Sequence, residues 1–169
     1  MVETDRLIFR KFADGDVEVI HSMRSDPEIM RFIGQVSSGP DDTLRWMDRI
    51  CGLWDSEGIG YLAMIEKDSG ELCGWSGLWK IPETGEIEVA YAVTKPKWGL
   101  GYATEAAAAF VGYAFRELDL DRIVAVAFPE NRASIKVMEK LGMEYVMTGE
   151  FFGKRLVQYA ILRGAGDIK

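Results

Sequence analysis

Histidine and cysteine are scarce in this sequence, with one and two copies among 169 residues. Catalytic triads use histidine as their base, and the lone His21 lies in an early polar segment, which argues against that class of enzyme. Cys51 and Cys73 stand apart and lack the spacing of a metal site, so we expect two small buried apolar side chains. The sequence therefore predicts no metal centre.

Long apolar runs and excess positive charge are also missing. No run approaches the ~20 residues that a membrane span requires, and the acidic segment 1–5 lacks the apolar region of a secretory signal. The net charge of −7 at pH 7 disfavours nucleic acid as the main partner, because phosphate contacts drive such binding. It would suit a cationic substrate such as an amine. We expect a cytoplasmic protein, a single domain over residues 1–169 and no membrane contact.

The most informative segment that is present is residues 95–107, which run from an apolar strand through Gly99 and Gly101 into an alanine-rich helix. A helix start leaves backbone N–H groups without partners and carries a partial positive charge. Glycines at the turn let this backbone approach an anion closely. The segment therefore predicts a site for a phosphate-sized anion.

Apolar periodicity places this turn within a mixed sheet. Helices are predicted from Asp14 or Asp16, from Pro27, from Asp41 or Asp42, after the glycine turn, and after Asn131 with Gly142 as its C-cap. Strands are predicted at residues 6–11, 60–66, 71–79, 86–94, 123–128, 144–148 and 155–162. We thus expect an α/β fold of the α+β mixed-sheet type: an antiparallel meander, one parallel βαβ crossover, a helix and a C-terminal hairpin.

A dinucleotide is one alternative ligand for the glycine turn. Residues 99–104 partly match the G-x-G-x-x-G pattern, but Thr104 stands where a close-packing Gly or Ala belongs. The turn also follows a meander, whereas that fingerprint opens a βαβ series. A nucleoside-triphosphate P-loop is excluded because no Gly-Lys-Ser/Thr is present.

The second alternative is coenzyme A. Residues 98–106 resemble the acyl-CoA pyrophosphate motif of the GNAT superfamily, Gln/Arg-x-x-Gly-x-Gly/Ala, with Trp98 at the Gln/Arg position. Residues 129–143 are similar to the second family hallmark, an Asn-x-x-Ser helix that ends in Leu-Gly-Phe/Met. The opening residues 3–10 resemble the RimJ/RimL-like branch, which acetylates protein N-termini and small amines. The resemblance covers essentially the whole chain.

This resemblance implies a GNAT-like N-acetyltransferase in which the amine of a protein N-terminus or small molecule attacks acetyl-CoA directly in a ternary complex. A different acyl-CoA, an alcohol acceptor, or a silent CoA-binding regulatory module remains an alternative. The sequence leaves the acceptor and the oligomeric state open, a homodimer included. The implied cofactor contacts are the backbone of Tyr91, Ala92 and Val93, the turn residues Trp98, Gly99, Leu100, Gly101, Tyr102, Ala103 and Thr104, and Asn131.

Two residues are candidates for proton transfer. An alkyl amine with a pKa near ~10 needs a base at neutral pH. Glu88, on the strand that leads to the turn, is the candidate, acting directly or through water, whereas Glu86 shares its face but lies farther away. Ser134 is the implied general acid for the thiolate. Tyr145 is a competitor for that role, although its place in an apolar strand favours a buried core residue. Residues 29–40 and 150–154 are expected to shape the acceptor pocket, with Trp75, Trp79, Phe151 and Phe152 as further candidates for its lining.

Overall fold

A computed structural model describes residues 2–165, which form one seven-stranded sheet with helices on both faces. The strand order is β1-β2-β3-β4-β5-β7-β6. The strands are β1 (Leu7–Arg10), β2 (Gly60–Glu66), β3 (Leu72–Lys80), β4 (Ile87–Val93), β5 (Arg122–Ala127), β6 (Glu144–Phe151) and β7 (Lys154–Leu162). The helices are α1 (Val17–Ser25), α2 (Pro27–Met30), α3 (Pro40–Glu57), α4 (Tyr102–Arg116) and α5 (Arg132–Lys140).

The connectivity confirms the predicted fold. Strands β1 to β4 form an antiparallel meander, and β6 and β7 form the C-terminal hairpin, with β7 paired to β5. Strands β4 and β5 are parallel and are joined through α4, as the crossover predicts. Among the described residues, no helix is both long enough and apolar enough to cross a membrane.

Strands β4 and β5 separate almost as soon as they meet. Their pairing is limited to one register position, Glu88 opposite Val124. By contrast, β4 pairs with β3 at seven consecutive positions, from Gly74–Val93 to Lys80–Ile87. The sheet is therefore open beyond Glu88, between the carboxyl-terminal halves of two neighbouring strands.

Alternation along β4 assigns its side chains to two separate cores. Val89 and Val93 pack on the α4 side, where Ala106, Ala107 and Phe110 are fully buried. The alanines of α4 allow this close approach, since a methyl group needs little space between helix and sheet. Ala92 packs on the opposite side with Trp75, where α1 and α3 contribute apolar residues such as Ile20, Met47 and Ile50.

Three predicted details are wrong. Helix α3 begins at Pro40 with Gly39 as its N-cap, because proline is well suited to the first helical position, so neither Asp41 nor Asp42 caps it. Phe151 ends β6 as a buried residue and leaves only Phe152 and Gly153 in the turn, whose φ angles of 53° and 66° fit a two-residue hairpin. Tyr145 is 56% exposed on the edge strand β6, rather than buried in the core.

Candidate active site

A cavity of about 650 Å³ occupies the opening between β4 and β5 and continues to both faces of the sheet. Its walls include most of the predicted site residues and residues from the segments expected to shape the acceptor pocket. The predicted lining residues are Glu88, Tyr91, Ala92, Val93, Trp98, Gly99, Gly101, Tyr102, Ala103, Thr104, Asn131 and Ser134. The opening of the sheet therefore brings together the two sequence motifs and the candidate base.

The glycine turn presents a continuous row of free backbone donors. Gly99 and Gly101 have φ angles of 79° and 86°, a conformation that favours glycine. Among the described residues, no hydrogen-bond acceptor is found for any of the six N–H groups of residues 99–104; the next donor, from Glu105, bonds to the Gly101 carbonyl at 3.0 Å. The N-terminus of the 15-residue helix α4 adds its partial positive charge to this row.

Two predicted residues of the turn contribute differently. Trp98 donates a hydrogen bond from its indole Nε1 to the carbonyl of Val93, at 2.7 Å, and so fixes the turn to the end of β4. Leu100 has a side chain that is 51% exposed and lies outside the cavity lining. Only the backbone of Leu100 is therefore available to the site.

The first residues of the chain clamp this turn from outside. Glu105, in the first turn of α4, accepts bonds from the Arg6 backbone N–H and Nε, at 3.0 and 2.6 Å, and from the Thr4 hydroxyl. The Arg6 guanidinium also donates to the Leu100 carbonyl at 2.9 Å. Arg6 thereby neutralises a carboxylate next to the free N–H groups and turns a carbonyl oxygen away from them.

A second carboxylate near the turn is neutralised in the same way. Glu66, at the end of β2, receives the Lys97 ammonium at 2.7 Å, the Ser69 hydroxyl at 2.6 Å and the Tyr102 hydroxyl. These bonds, that from Lys97 above all, lower the pKa of Glu66 to about 2. Glu66 is therefore ionised at neutral pH, and its negative charge neutralises the positive charge of Lys97.

Glu88 is the outstanding titratable group of the cavity. It is 6% exposed, and no hydrogen bond or ion pair to it is found among residues 2–165. Burial, with a smaller contribution from Glu83, raises the pKa of Glu88 to about 8. Glu86 differs, because Gln158 and Arg122 bond to its carboxylate at 2.8 Å each. Thus Glu88 alone of the two has a carboxyl group available to a ligand.

A pair of hydroxyl groups faces the other side of the opening. The Tyr91 hydroxyl lies 2.9 Å from Ser134 Oγ, and burial raises the pKa of Tyr91 to about 12. Asn131 caps α5 by accepting the Ser134 backbone N–H at 3.2 Å, as its position predicts, and it also lines the cavity. Tyr145 bonds to Thr148 on the edge strand and is absent from the cavity lining, so it cannot be the alternative acid.

Several residues of the site escaped sequence reasoning. The Tyr91 side chain, Tyr61 and Phe128 line the cavity without having been predicted to do so, whereas Arg31, Phe32 and Lys154 come from the two segments expected to shape the acceptor pocket, although not as named residues. Strand alternation could have placed Phe128 on the face of Val124, but the other contacts join distant segments. Within the described residues, no group of three or more Asp, Glu, His or Cys side chains is arranged to hold a metal ion.

Comparison with known proteins assigns the family. Residues 6–144 match the model of the acetyltransferase (GNAT) domain. The chain is 32% identical to the uncharacterized N-acetyltransferase p20 of Bacillus licheniformis over 143 residues, which cover 83% of this chain and 80% of that protein. The match therefore extends over most of both proteins.

Solved structures show the same fold. A GNAT-family acetyltransferase from Bacillus anthracis superposes with a TM-score of 0.79 at 29% identity, covering 95% of this chain and 97% of that one. The spermidine N-acetyltransferase of Vibrio cholerae, solved with CoA and spermine, has a TM-score of 0.79 at 18% identity, with 96% and 98% coverage, and shows the fold alone. By sequence and by architecture, this chain belongs to the GNAT acetyltransferase family.

Proposed function

We propose that this acetyltransferase moves the acetyl group of acetyl-CoA to a primary amine and that both substrates meet in the opening between β4 and β5. The observation that carries the proposal is the arrangement of unused groups in one cavity. Six free N–H donors lie on one side, and an unpaired, buried carboxyl group lies on the other. The first set suits a diphosphate, and the second suits an amine.

The residues of the cavity offer partners to the successive parts of coenzyme A, from the diphosphate to the pantetheine arm. The N–H groups of residues 99–104 would hold the diphosphate, because they form a contiguous row of unsatisfied donors at the start of α4. The separated edge of β4 at Tyr91, Ala92 and Val93 offers backbone groups to the amides of the pantetheine arm. Asn131 has a free amide N–H₂ group after capping α5 and can donate to the same arm. The bound cofactor supplies the acetyl thioester.

Glu88 takes the role of base. A carboxyl group with a pKa about 8 is matched to proton abstraction at neutral to mildly basic pH, where a carboxylate of ordinary pKa would be a weak base. Because no partner of Glu88 is found among residues 2–165, its carboxylate can accept a proton from the amine, directly or through one water molecule.

Ser134 takes the role of general acid, with Tyr91 as its neighbour. The Ser134 hydroxyl lies on the α5 side of the opening, opposite Glu88. The Tyr91 hydroxyl lies 2.9 Å from Ser134 Oγ and can return a proton to Ser134 after Ser134 has donated its own to the thiolate. An alkyl thiolate has a pKa near ~8.5 and leaves with little assistance above that pH. The acid is therefore needed most at neutral pH.

The function is tested by release of free thiol from acetyl-CoA on addition of primary amines. We expect amine-dependent release of CoA and an acetylated amine with the mass of one acetyl group. Matched alcohols should give no release above the rate without acceptor. Acetyl-CoA binding without turnover, over a broad amine panel, would instead identify a silent CoA-binding module.

Ser134→Ala should lower kcat by about tenfold at pH 7, at the weak end of general-acid effects, because the leaving thiolate needs little help. The loss should diminish above pH 8.5. Steady-state kinetics from pH 6.5 to 9.5 measure it, with Ser56→Ala as a control on the exposed end of α3. An unchanged kcat at pH 7 would remove Ser134 from this role.

Arg6→Ala should raise the KM for acetyl-CoA about tenfold, equivalent to ~1.4 kcal/mol. Without Arg6, the Glu105 carboxylate is unneutralised beside the diphosphate site, and the Leu100 carbonyl is free to turn. The double variant Arg6→Ala/Glu105→Gln should recover part of the loss. Arg163→Ala, which breaks an exposed ion pair elsewhere, is the control. A KM equal to that of the parent would show that the clamp has no effect on the cofactor.

A further inference from the structure

The acceptor side of the cavity carries two cations, Arg31 and Lys154, for which no ion-pair partner is found among residues 2–165. Glu88, Phe32 and Phe128 lie on the sheet face opposite α4 and α5. For Phe128 this follows from alternation along β5, which places Val124, Val126 and Phe128 on one side and Ile123, Ala125 and Ala127 on the other. Lys154 shares that face, because it lies two residues before Leu156 on β7, and Leu156 packs with Val124.

A continuous row of four side chains lies at the mouth of the cavity, in the order Arg31, Phe32, Phe128 and Lys154. The Arg31 guanidinium lies 4.9 Å from the ring of Phe32, that ring lies 5.7 Å from the ring of Phe128, and the Lys154 ammonium lies 5.5 Å from the Phe128 ring. All four residues line the cavity. The row therefore consists of two neighbouring aromatic rings, inclined to each other by 46°, with a positive charge at each end.

The charges of this row are not used within the described part of the chain. No ion pair involves Arg31 or Lys154 among residues 2–165. Apart from Glu88, the described lining contains one acidic side chain, Glu28, which is bound to the Lys95 ammonium at 2.6 Å. Lys136 and Lys140 also line the cavity, but they lie on α5 beside Ser134, on the side proposed for the cofactor.

Phe152 supplies a third aromatic ring at the mouth, at a conformational cost. Its φ of 53° is unusual for a residue other than glycine, asparagine or aspartate, and residues of this kind are concentrated at functional sites. The ring is 37% exposed and lines the cavity. A turn sequence chosen for stability would place a polar residue or glycine there.

The row and the base are separated by a length that a ligand can span. Glu88 is in register with Val124, and Phe128 follows four residues later, which corresponds to about 13 Å along an extended strand. The cavity wall on the same face of the sheet also contains the aromatic residues Tyr61 and Trp75. An acceptor with its amine at Glu88 would thus pass an apolar wall before it reached the two cations.

From this arrangement we propose that the acceptor is an amine carried on a flat apolar body that ends in a carboxylate. Arg31 and Lys154 bind the carboxylate, and Phe32, Phe128 and Phe152 contact the apolar body. These five residues determine specificity and take no part in proton transfer. The proposal rests on the proposed function, and it excludes polyamines as preferred acceptors, because a second ammonium group would meet two positive charges.

The test compares three matched acceptors: 3-[4-(aminomethyl)phenyl]propanoate, its neutral primary amide, and the analogue in which a second amine replaces the carboxylate. We expect kcat/KM to be at least about tenfold higher for the carboxylate than for the amide, and lowest for the diamine. In Arg31→Glu/Lys154→Glu, the order should reverse. Arg45→Glu, on the exposed face of α3, changes charge in the same sense and should keep the original order.

Two measurements separate failure of this proposal from failure of the proposed function. If no amine releases thiol, calorimetric binding of the three acceptors to the CoA complex still gives the preference for the carboxylate. Equal affinities, or an order that survives the double charge reversal, would overturn the proposal. A rise in the KM for acetyl-CoA with an unchanged acceptor order would assign the two cations to the cofactor instead.

Short peptides with Glu or Gln at the third position show whether a peptide or a free small molecule supplies the preferred carboxylate.

Discussion

Gly101→Glu is expected to abolish acetyl-CoA binding, with a dissociation constant raised by more than 10³ and no measurable turnover. Gly101 lies in the middle of the six free N–H donors, and its backbone has the left-handed conformation at the start of α4. A Cβ at this position would lie 3.4 Å from Arg6 Nη2, so a glutamate would add a negative charge to the turn, compete with Glu105 for Arg6 and repel the diphosphate proposed to bind the adjacent N–H groups. Isothermal titration calorimetry with CoA measures the loss.

Two matched variants separate charge from backbone strain in this experiment. Gly101→Gln adds a side chain of the same size without its charge, and Gly101→Ala adds only the strain of a Cβ at a φ of 86°. We expect the affinity to fall in the order Gly, Ala, Gln, Glu, with the largest step at the last change. CoA affinity that is equal in the Gln and Glu variants would contradict the assignment of the diphosphate to this turn.

Glu88→Gln is expected to lower kcat/KM for the amine by about 10² to 10³ at pH 7, the usual contribution of a general base. The KM for acetyl-CoA should stay within a factor of two, since Glu88 lies on the far side of the opening from the free N–H groups. For the parent enzyme, kcat/KM should rise with pH through about 8 as Glu88 loses its proton. The deficit of the variant should shrink toward pH 10, where the amine deprotonates in solution.

Glu88→Gln should also change how the melting temperature depends on pH, which can be measured without turnover. The folded-state pKa of Glu88 is raised to about 8 from an ordinary value of 4.5, so its contribution to stability is fully present below pH 4.5 and is lost as the pH rises through 8. Glutamine has no such dependence. The parent and Glu88→Gln should therefore melt together near pH 4.5, with the variant higher by at least about 5 °C at pH 9.

Glu86→Gln is the control for both measurements, because Glu86 is already bonded to Gln158 and Arg122. It should leave the pH profile of kcat/KM unchanged. Equal turnover of Glu88→Gln and the parent across this pH range would exclude Glu88 as the base. Equal melting temperatures at pH 9 would show that its carboxyl group is solvated in solution.

The succession of strands and helices along the chain and the placement of Glu88 on β4 could be predicted because both depend on local patterns. Alternation along residues 86–94 is visible in the sequence, and it fixes which side chains share a face of β4. The glycine spacing likewise predicts the αL turn before α4. Such features need only neighbouring residues for their formation.

Contacts between distant segments could not be predicted in this way. Arg6 and Glu105 are 99 residues apart, and Tyr91 and Ser134 are 43 apart, so their pairing depends on strand register and helix rotation that no local pattern encodes. Phe32 and Phe128 meet only because α2 and the end of β5 border the same opening. The exposure of Tyr145 has the same origin, since β6 became an edge strand only when β7 inserted beside β5.

The early separation of β4 from β5 has a thermodynamic consequence. Beyond Glu88 and Val124, two internal strand edges face a cavity instead of each other, so the empty protein forgoes backbone hydrogen bonds in the middle of its sheet. A ligand with amide groups bound between these edges, as we propose for the pantetheine arm of CoA, would complete the ladder and would bind only the folded state. Folding and cofactor supply are then linked, and the melting temperature rises with the concentration of CoA or acetyl-CoA.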